Sequence, residues 1–267
     1  MSTVSIAGDV APLILERRQG GVAFLTLNRP AQYNALSDEL LAALESTLDA
    51  LSSDVSVHVV VLGGAGKAFC AGHDLKQMKA NPDLEYYRRL FDDCSRVMMR
   101  IQSLPQPVIA RVHGIATAAG CQLVAMCDLA VAANDARFAV SGINVGLFCA
   151  TPSVALSRNV GRKAAFEMLA TGDFIDAPTA VARGLINRCV PAERLDQEIG
   201  RLAEAIAGKP RAVIAAGKAL FYRQLKVDIG TAYRLAGEAM ACNMVDEIAQ
   251  EGVAAFIEKR SPTWGAN

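Results

Sequence analysis

From Leu13 onward, short apolar runs alternate with segments of helical period, and that alternation leaves few architectures open. Leu13 to Glu16 and Val22 to Leu27 flank Gly20-Gly21 and read as a β-hairpin. Ser37 offers an N-cap, after which Leu40, Leu44, Leu48 and Leu51 recur on one helical face. The run HVVVLGG, His58 to Gly64, is a buried strand that ends in glycines. A helix with a polar face, from about Leu84 to Gln102, leads into the strand PVIARV, Pro107 to Val112. A third cycle starts with the small-residue segment ATAAGCQLVAM and passes into DLAVAA. Strands and helices in this order indicate an α/β protein with right-handed crossovers. After RCVP, Arg188 to Pro191, nearly everything to Lys259 has helical composition, with breaks near Gly208-Pro210 and Gly230. The expected organisation is a core over residues 1–190 and a helical region over 191–267. Such an appendage either packs back on the core or builds an oligomer.

With 267 residues, 52% of them hydrophobic, the chain can bury a large core. Lys plus Arg and Asp plus Glu number 27 each, so no general field draws it to nucleic acid or to an anionic membrane. Any anion it binds needs a local site. Residues 1–21 lack both a secretory signal and the Arg- and Ser-rich character of an organelle presequence, which predicts a cytoplasmic location. The most apolar region, Gly114 to Ala133, is interrupted by Gln122 and Asp128 and reads as core, not as a membrane span. The seven cysteines form no C-x-x-C pair and are expected to be reduced, while the three histidines, His58, His73 and His113, lack metal-ligand spacing. No metal is expected.

Two segments can carry chemistry. GKAFCAGHDL, Gly66 to Leu75, directly follows a buried strand. It is not a phosphate loop, because Val61 occupies the first glycine position of that spacing. Gly72 lets the chain turn sharply and leaves backbone N–H groups pointing outward; the plainer reading is a tight connection with Asp74 capping the next helix. The second segment, HGIATAAGCQLVAMCDLAVA, His113 to Ala132, places small residues ahead of a helix N-terminus, where negative charge is favoured. On its own it could equally be a tightly packed buried helix. Two such turns facing each other would form an oxyanion hole.

These segments, with ARFAVSGINVGLF, LTLNRPAQYNAL, GRKAAFEMLATGDFIDAPTAVARGLINRCVP and FIEKRSPTW, resemble the crotonase (enoyl-CoA hydratase/isomerase) superfamily over about Leu13 to Trp264. The resemblance implies a spiral of β-β-α units with a C-terminal helical oligomerisation region that packs trimers or hexamers. It implies an acyl-CoA substrate, with coenzyme A entering as part of it and no cofactor bound permanently. The matched motifs place backbone N–H donors for the thioester oxygen at His73 and Ala119, the latter where relatives commonly carry Gly. They also place Ala71, His73, Asp74 and Leu75 at the pantetheine and thioester end, Gln32 and Tyr33 near the adenine, and Phe256 and Lys259 against CoA. The His73 imidazole is a candidate acid or base, set against a loop histidine that supplies only its N–H. Residues from Met78 to Phe91 are expected to shape the acyl pocket.

The pattern breaks at one point. Hydratases of this family use two glutamates, and the matching positions here are Gln122 and Gly142. Gln orients water but accepts no proton at useful pKa, and Gly supplies no side chain. Efficient hydration of an enoyl-CoA is therefore expected to be lost. The Gly142 position reads as a void that water or bicarbonate could fill, since SGxxVG looks a little like naphthoyl-CoA synthases of the same superfamily. Asp74 and Asp128 read as structural acids, and Cys149 as a core residue with a nucleophilic thiol as its alternative. Three functional classes remain open: an acyl-CoA enzyme, a catalytically silent acyl-CoA-binding or regulatory protein, and a purely structural oligomer.

Overall fold

The computed structural model describes residues 11–264. Its first elements are the hairpin strands β1 (Ile14–Gln19) and β2 (Val22–Leu27), which pair antiparallel from Ile14 opposite Leu27 to Gln19 opposite Val22. Helix α1 (Asp38–Ser52) begins where the Ser37 hydroxyl accepts the Leu40 N–H, and it buries Leu40, Leu41, Leu44, Leu48 and Leu51. Each buried leucine stabilises the fold by roughly 1.5–3 kcal/mol. β3 (Val59–Gly64), the short α2 (Leu75–Ala80), α3 (Leu84–Ser103) and β4 (Val108–Val112) complete the next cycle. Along α3 the buried positions Tyr86, Leu90, Cys94, Val97, Met98 and Ile101 keep the helical period, so one stripe meets the core.

Beyond β4 the chain alternates between two sheets. β5 (Ile115–Thr117) leads into α4 (Ala119–Met126), then β6 (Leu129–Ala133) and β7 (Arg137–Ala139). A 3-10 turn over Ser141–Val145 precedes α5 (Ala150–Asn159), α6 (Arg162–Thr171), β8 (Ile175–Asp176), α7 (Ala177–Ala182) and β9 (Arg188–Val190). The larger sheet has the order β1-β2-β3-β4-β6-β9, parallel throughout except for the hairpin, and the smaller has the order β5-β7-β8. Each chain cycle therefore adds one strand to the large sheet, one to the small sheet, and one or more helices. The first cycles contribute only single bridges to the small layer, Leu36 with His73 and Cys70 with Ala116. The second bridge holds the loop after β3 against the strand before α4, and the first ties that loop to the segment ahead of α1.

The C-terminal region consists of α8 (Leu195–Ala207), α9 (Arg211–Gln224), α10 (Ile229–Met244) and α11 (Glu247–Ile257). The break at Gly208-Pro210 matches the sequence reading. The second break falls at Leu225 to Asp228, because Asp228 caps α10 at the Thr231 N–H and Gly230 lies inside the helix. Helical structure also begins earlier than RCVP, in α5 to α7. Leu195, Ile199 and Ala203 of α8 pack on Val22, Val59, Val61, Ile109 and Val131, covering the outer face of the large sheet. α9 and α10 bury no apolar side chain and α11 buries only Ala255, so this end of the chain carries exposed Phe221, Leu225, Ile229, Tyr233, Met240 and Val245.

Helix α9 is tied to the core by a polar anchor. Lys218 Nζ donates to Asp128 Oδ2 at 2.6 Å, to Ile101 O at 2.9 Å and to Gln106 O at 3.0 Å. Asp128 also accepts the Tyr222 hydroxyl at 2.8 Å and the Val108 N–H at 2.7 Å. Asp128 is thus a structural acid. Among the described residues, no helix is long and apolar enough to cross a membrane, and no cluster of three or more His, Cys, Asp and Glu could hold a metal.

Candidate active site

The loop after β3 is built on a buried asparagine. Asn34 Nδ2 donates to the carbonyls of Ala65, Ala68 and Phe69 at 2.9, 2.8 and 3.2 Å, and its Oδ1 accepts the Arg29 N–H at 2.9 Å. Arg29 also pairs with Asp74 at 3.0 Å, and Asp74 caps α2 by accepting the N–H groups of Lys76 and Gln77. Burial raises the Asp74 pKa, but the Arg29 guanidinium and these N–H groups outweigh it and hold the carboxyl below its ordinary value. An ionised, paired acid of this kind has no proton to give at neutral pH.

Leu36 N donates to Gly72 O at 2.8 Å, and Asp74 N donates to Leu36 O at 3.0 Å. In this parallel bridge the middle residue, His73, turns its own N–H away from Leu36. That is the side on which Cys70 pairs with the strand of Ala116. Ala119 is the first residue of α4, so its N–H has no carbonyl within the helix to bond. The two segments touch at Gly72, whose φ is +88°. A Cβ there would stand 2.8 Å from Ala118 Cβ and 3.2 Å from Ala119 N, so only glycine admits this approach. Ala118 itself has φ 50° and ψ −121°, an unfavourable backbone for alanine that holds the turn ahead of α4.

Both turns open on one cavity of about 210 Å³. Ala71, His73 and Leu75 line it from the loop, Met78 and Phe91 from α2 and α3, and Ala118 and Ala119 from the start of α4. Ser141, Gly142, Val145, Leu147, Phe148 and Cys149 close the far side, with Ala150, Thr151 and Pro152 of the first turn of α5. No Asp, Glu, Lys or Arg is among the lining residues. Burial is graded: Leu75, Val145, Leu147 and Phe148 are exposed at the rim, whereas Ala119, Cys149 and Pro152 are buried at the floor.

The His73 ring stands edge-on to Phe91, with centroids 5.5 Å apart, and both ring nitrogens are buried without a hydrogen-bond partner. Burial pushes its pKa down to about 4, with the Leu36 backbone pulling weakly the other way. The imidazole is therefore neutral near pH 7, which removes it as a proton donor there. Gly142 does not border a void on its side-chain side. A Cβ at that position would lie 2.5 Å from Leu147 O and 2.7 Å from Cys149 Sγ. The thiol accepts the Gly142 N–H at 3.3 Å, and burial raises its pKa, so it is a packed thiol and not a thiolate. Gln122 is buried in α4 with its Oε1 unpartnered, but it does not line the cavity.

Of the sequence-predicted residues, the cavity gathers Ala71, His73, Leu75, Ala119 and Gly142, and it includes Met78 and Phe91. Asp74 stands behind it on Arg29. Tyr33 reaches the loop through its carbonyl, which accepts the Ala71 N–H at 3.0 Å, and Gln32 sits in the preceding 3-10 turn. Phe256 is exposed on α11 and Lys259 follows that helix; neither lines the cavity. Sequence reasoning missed Ser141, whose hydroxyl pairs with Thr117 Oγ1 at 2.8 Å, and the positioning groups Arg29 and Asn34. The last two lie in the quoted LTLNRPAQYNAL stretch, and an asparagine fixed between two turn signals was the available clue.

The enoyl-CoA hydratase/isomerase family pattern matches residues 17–267. A crystal structure described as enoyl-CoA hydratase from Mycobacterium smegmatis is 64% identical and superposes with a TM-score of 0.94, covering 95% of this chain and 99% of that one. The structure of human enoyl-CoA hydratase domain-containing protein 3 is 44% identical, with a TM-score of 0.92 over 94% of this chain and all of that one (100%). The rat protein of that name is 47% identical over 248 residues, 93% of this chain and 83% of the relative. The names of the rat, mouse and human relatives call them mitochondrial, and this overturns the expected cytoplasmic location. Neutral charge and hydropathy carry no address, and residues 1–10 of the segment read for one lie outside the described residues. The chain belongs to the enoyl-CoA hydratase/isomerase (crotonase) superfamily, with the enoyl-CoA hydratase domain-containing protein 3 subgroup that its ATAAGCQL and GLFC-TP stretches resemble.

Proposed function

We propose that this protein binds an acyl-CoA thioester with its carbonyl oxygen between the backbone N–H groups of His73 and Ala119, and stabilises the oxyanion or enolate that forms there. The observation that carries this reading is the contact of two turns at Gly72, each with an unpaired N–H, above an apolar cavity. Each such donor is generally worth about 10²–10³ in rate. Ala71, Asp74 and Leu75 then shape the pantetheine end, Gln32 and Tyr33 the adenine end, and Phe256 with Lys259 adds CoA contacts. The described part of the 1–190 region, from residue 11, forms the acyl-CoA-binding core. The described part of the 191–267 region, up to residue 264, packs on it through α8 and assembles trimers or hexamers through the apolar side chains of α9 to α11.

Efficient enoyl-CoA hydration is not part of this reading. The cavity has no carboxylate, the His73 ring is neutral near pH 7, and a side chain at Gly142 would meet Leu147 O and Cys149 Sγ. A positioned acid or base contributes about 10²–10⁴, so its loss weighs heavily. The same observation favours a second reading, a catalytically silent acyl-CoA-binding or regulatory protein. Purified protein is incubated with enoyl-, saturated and branched acyl-CoAs, and every product is identified by mass. A new chemical product other than a water adduct supports an enzyme, and retained, unchanged thioesters support the silent reading. A water adduct of crotonyl-CoA that persists in Gln122→Ala would overturn the account of hydration. Failure to bind any thioester would overturn both readings.

A further inference from the structure

We infer that the reaction at this site is the loss of CO2 from a 2-carboxyacyl-CoA, a thioester of malonyl type. This rests on the acyl-CoA reading above and names its substrate class. A thioester enolate forms by removal of an α-proton, which needs a base, or by addition to an enoyl thioester, which needs an activated nucleophile. It also forms by loss of CO2, which needs neither, because the breaking C–C bond supplies the electron pair. The cavity offers little for the first two routes. Its lining holds no Asp, Glu, Lys or Arg. The His73 ring, with a pKa pushed down to about 4, is a poor base near neutral pH. The Cys149 thiol accepts the Gly142 N–H, and burial raises its pKa.

The distribution of charge favours the third route. The substrate carboxylate would lie in the acyl part of the cavity, beside Met78, Phe91 and Leu147, with no cation in the lining. Neutral groups line the same space: the Thr151 hydroxyl, and the His73 ring, whose nitrogens have no partner. The Ser141 hydroxyl is engaged by Thr117 Oγ1. Such groups orient a carboxylate but solvate its charge less well than water does. As CO2 departs, the charge moves to the thioester oxygen, between the N–H groups of His73 and Ala119. The site therefore favours the developing enolate over the bound carboxylate, and that difference lowers the barrier. In the balanced step, the bond from Cα to the carboxylate breaks, its electron pair forms the enolate, and neutral CO2 leaves. Cα then takes a proton from water, which is left as hydroxide.

The test incubates the full chain with methylmalonyl-CoA and identifies the products by mass, with propionyl-CoA binding measured by calorimetry in parallel. Propionyl-CoA and CO2 are expected, about 10⁴–10⁶-fold faster than without protein, at about 10²–10³ for each of the two donors. The rate should show no break between about pH 6 and 8, since breaking the bond uses no acid or base; a break there overturns the inference. Gly72→Ala drives a Cβ between the two turns and should slow turnover at least about 100-fold; an equal rate overturns the assignment to this site. Should that variant not fold, propionyl-CoA serves as a competitive inhibitor of the unaltered protein. An inhibition constant more than about tenfold from its own Kd then overturns the assignment. Methylmalonyl-CoA recovered unchanged, or hydrolysed to free CoA, overturns the inference, while propionyl-CoA binding leaves the acyl-CoA reading standing. If neither thioester binds, that reading falls, and this inference with it.

Discussion

Lys218→Met tests whether one buried ion pair holds α9 to the core. The Lys218 and Asp128 side chains are 7% and 13% exposed, so solvent screens the pair little. Burial draws the ammonium below the usual lysine range, even with the carboxylate opposing. Methionine keeps most of the stem volume but leaves Asp128 charged, with only the Val108 N–H and the Tyr222 hydroxyl as partners. The carbonyls of Ile101 and Gln106 lose their donor as well. Breaking one side of a buried pair costs about 3–5 kcal/mol, a large part of a total stability of about 5–15 kcal/mol. Because α9 buries no apolar side chain, the loss can surface first as local detachment. Urea unfolding gives the global change, and amide exchange in α9 gives the local one. Adding Asp128→Leu should recover part of the loss, since the stranded charge is then gone. A loss below about 1 kcal/mol in both measurements would refute the assignment of the pair as the anchor.

Three further outcomes follow from the site. His73 binds its proton at about 4 when folded and near 6.5 when unfolded; its depressed pKa therefore gives stability that is complete above pH 6.5 and lost progressively down to about pH 4. At pH 5 the loss is about 2 kcal/mol, and denaturation curves of His73→Asn should lack that component; an identical pH slope in the variant would contradict it. Gly142→Glu, with or without Gln122→Glu, should destabilise by about 1–3 kcal/mol, because the new side chain meets Leu147 O and Cys149 Sγ. It should also fail to confer crotonyl-CoA hydration, and a gain in turnover above about 100-fold would show that the backbone there yields. Asn34→Ala leaves the buried carbonyls at Ala68 and Phe69 without their shared donor. It should cost about 1–3 kcal/mol and weaken CoA-thioester binding, whereas unchanged binding would remove Asn34 as a positioning residue.

Where a residue's role depends on its neighbours along the chain, the sequence was a good guide. The leucine spacing of α1, its Ser37 cap, the run HVVVLGG and the small residues ahead of α4 act through the local backbone. Periodicity and capping chemistry therefore located them to within a residue or two. The glycine-rich turn at Gly72 was legible for the same reason. The C-terminal helices were legible as helices, but not the placement of α8. Nothing in its amphipathic pattern says which sheet face it covers.

Charge, volume and pKa belong to the folded neighbourhood instead. A histidine in a loop reads as a neutral-pH acid or base until the fold buries its ring beside Phe91 and lowers its pKa to about 4. Gly142, expected from the resemblance to leave a void, has Leu147 O and Cys149 Sγ in the space a side chain would take. Asp128 and Lys218, ninety residues apart, become a pair only when α9 is brought against the segment entering β4. The sequence alone determined the family, the alternation of strands and helices from the hairpin to β4 and the two turns, because these rest on local backbone preferences and on motifs along the chain. Only the tertiary structure decided what fills the cavity wall and which groups carry charge, because desolvation and packing depend on atoms that the chain brings together from afar.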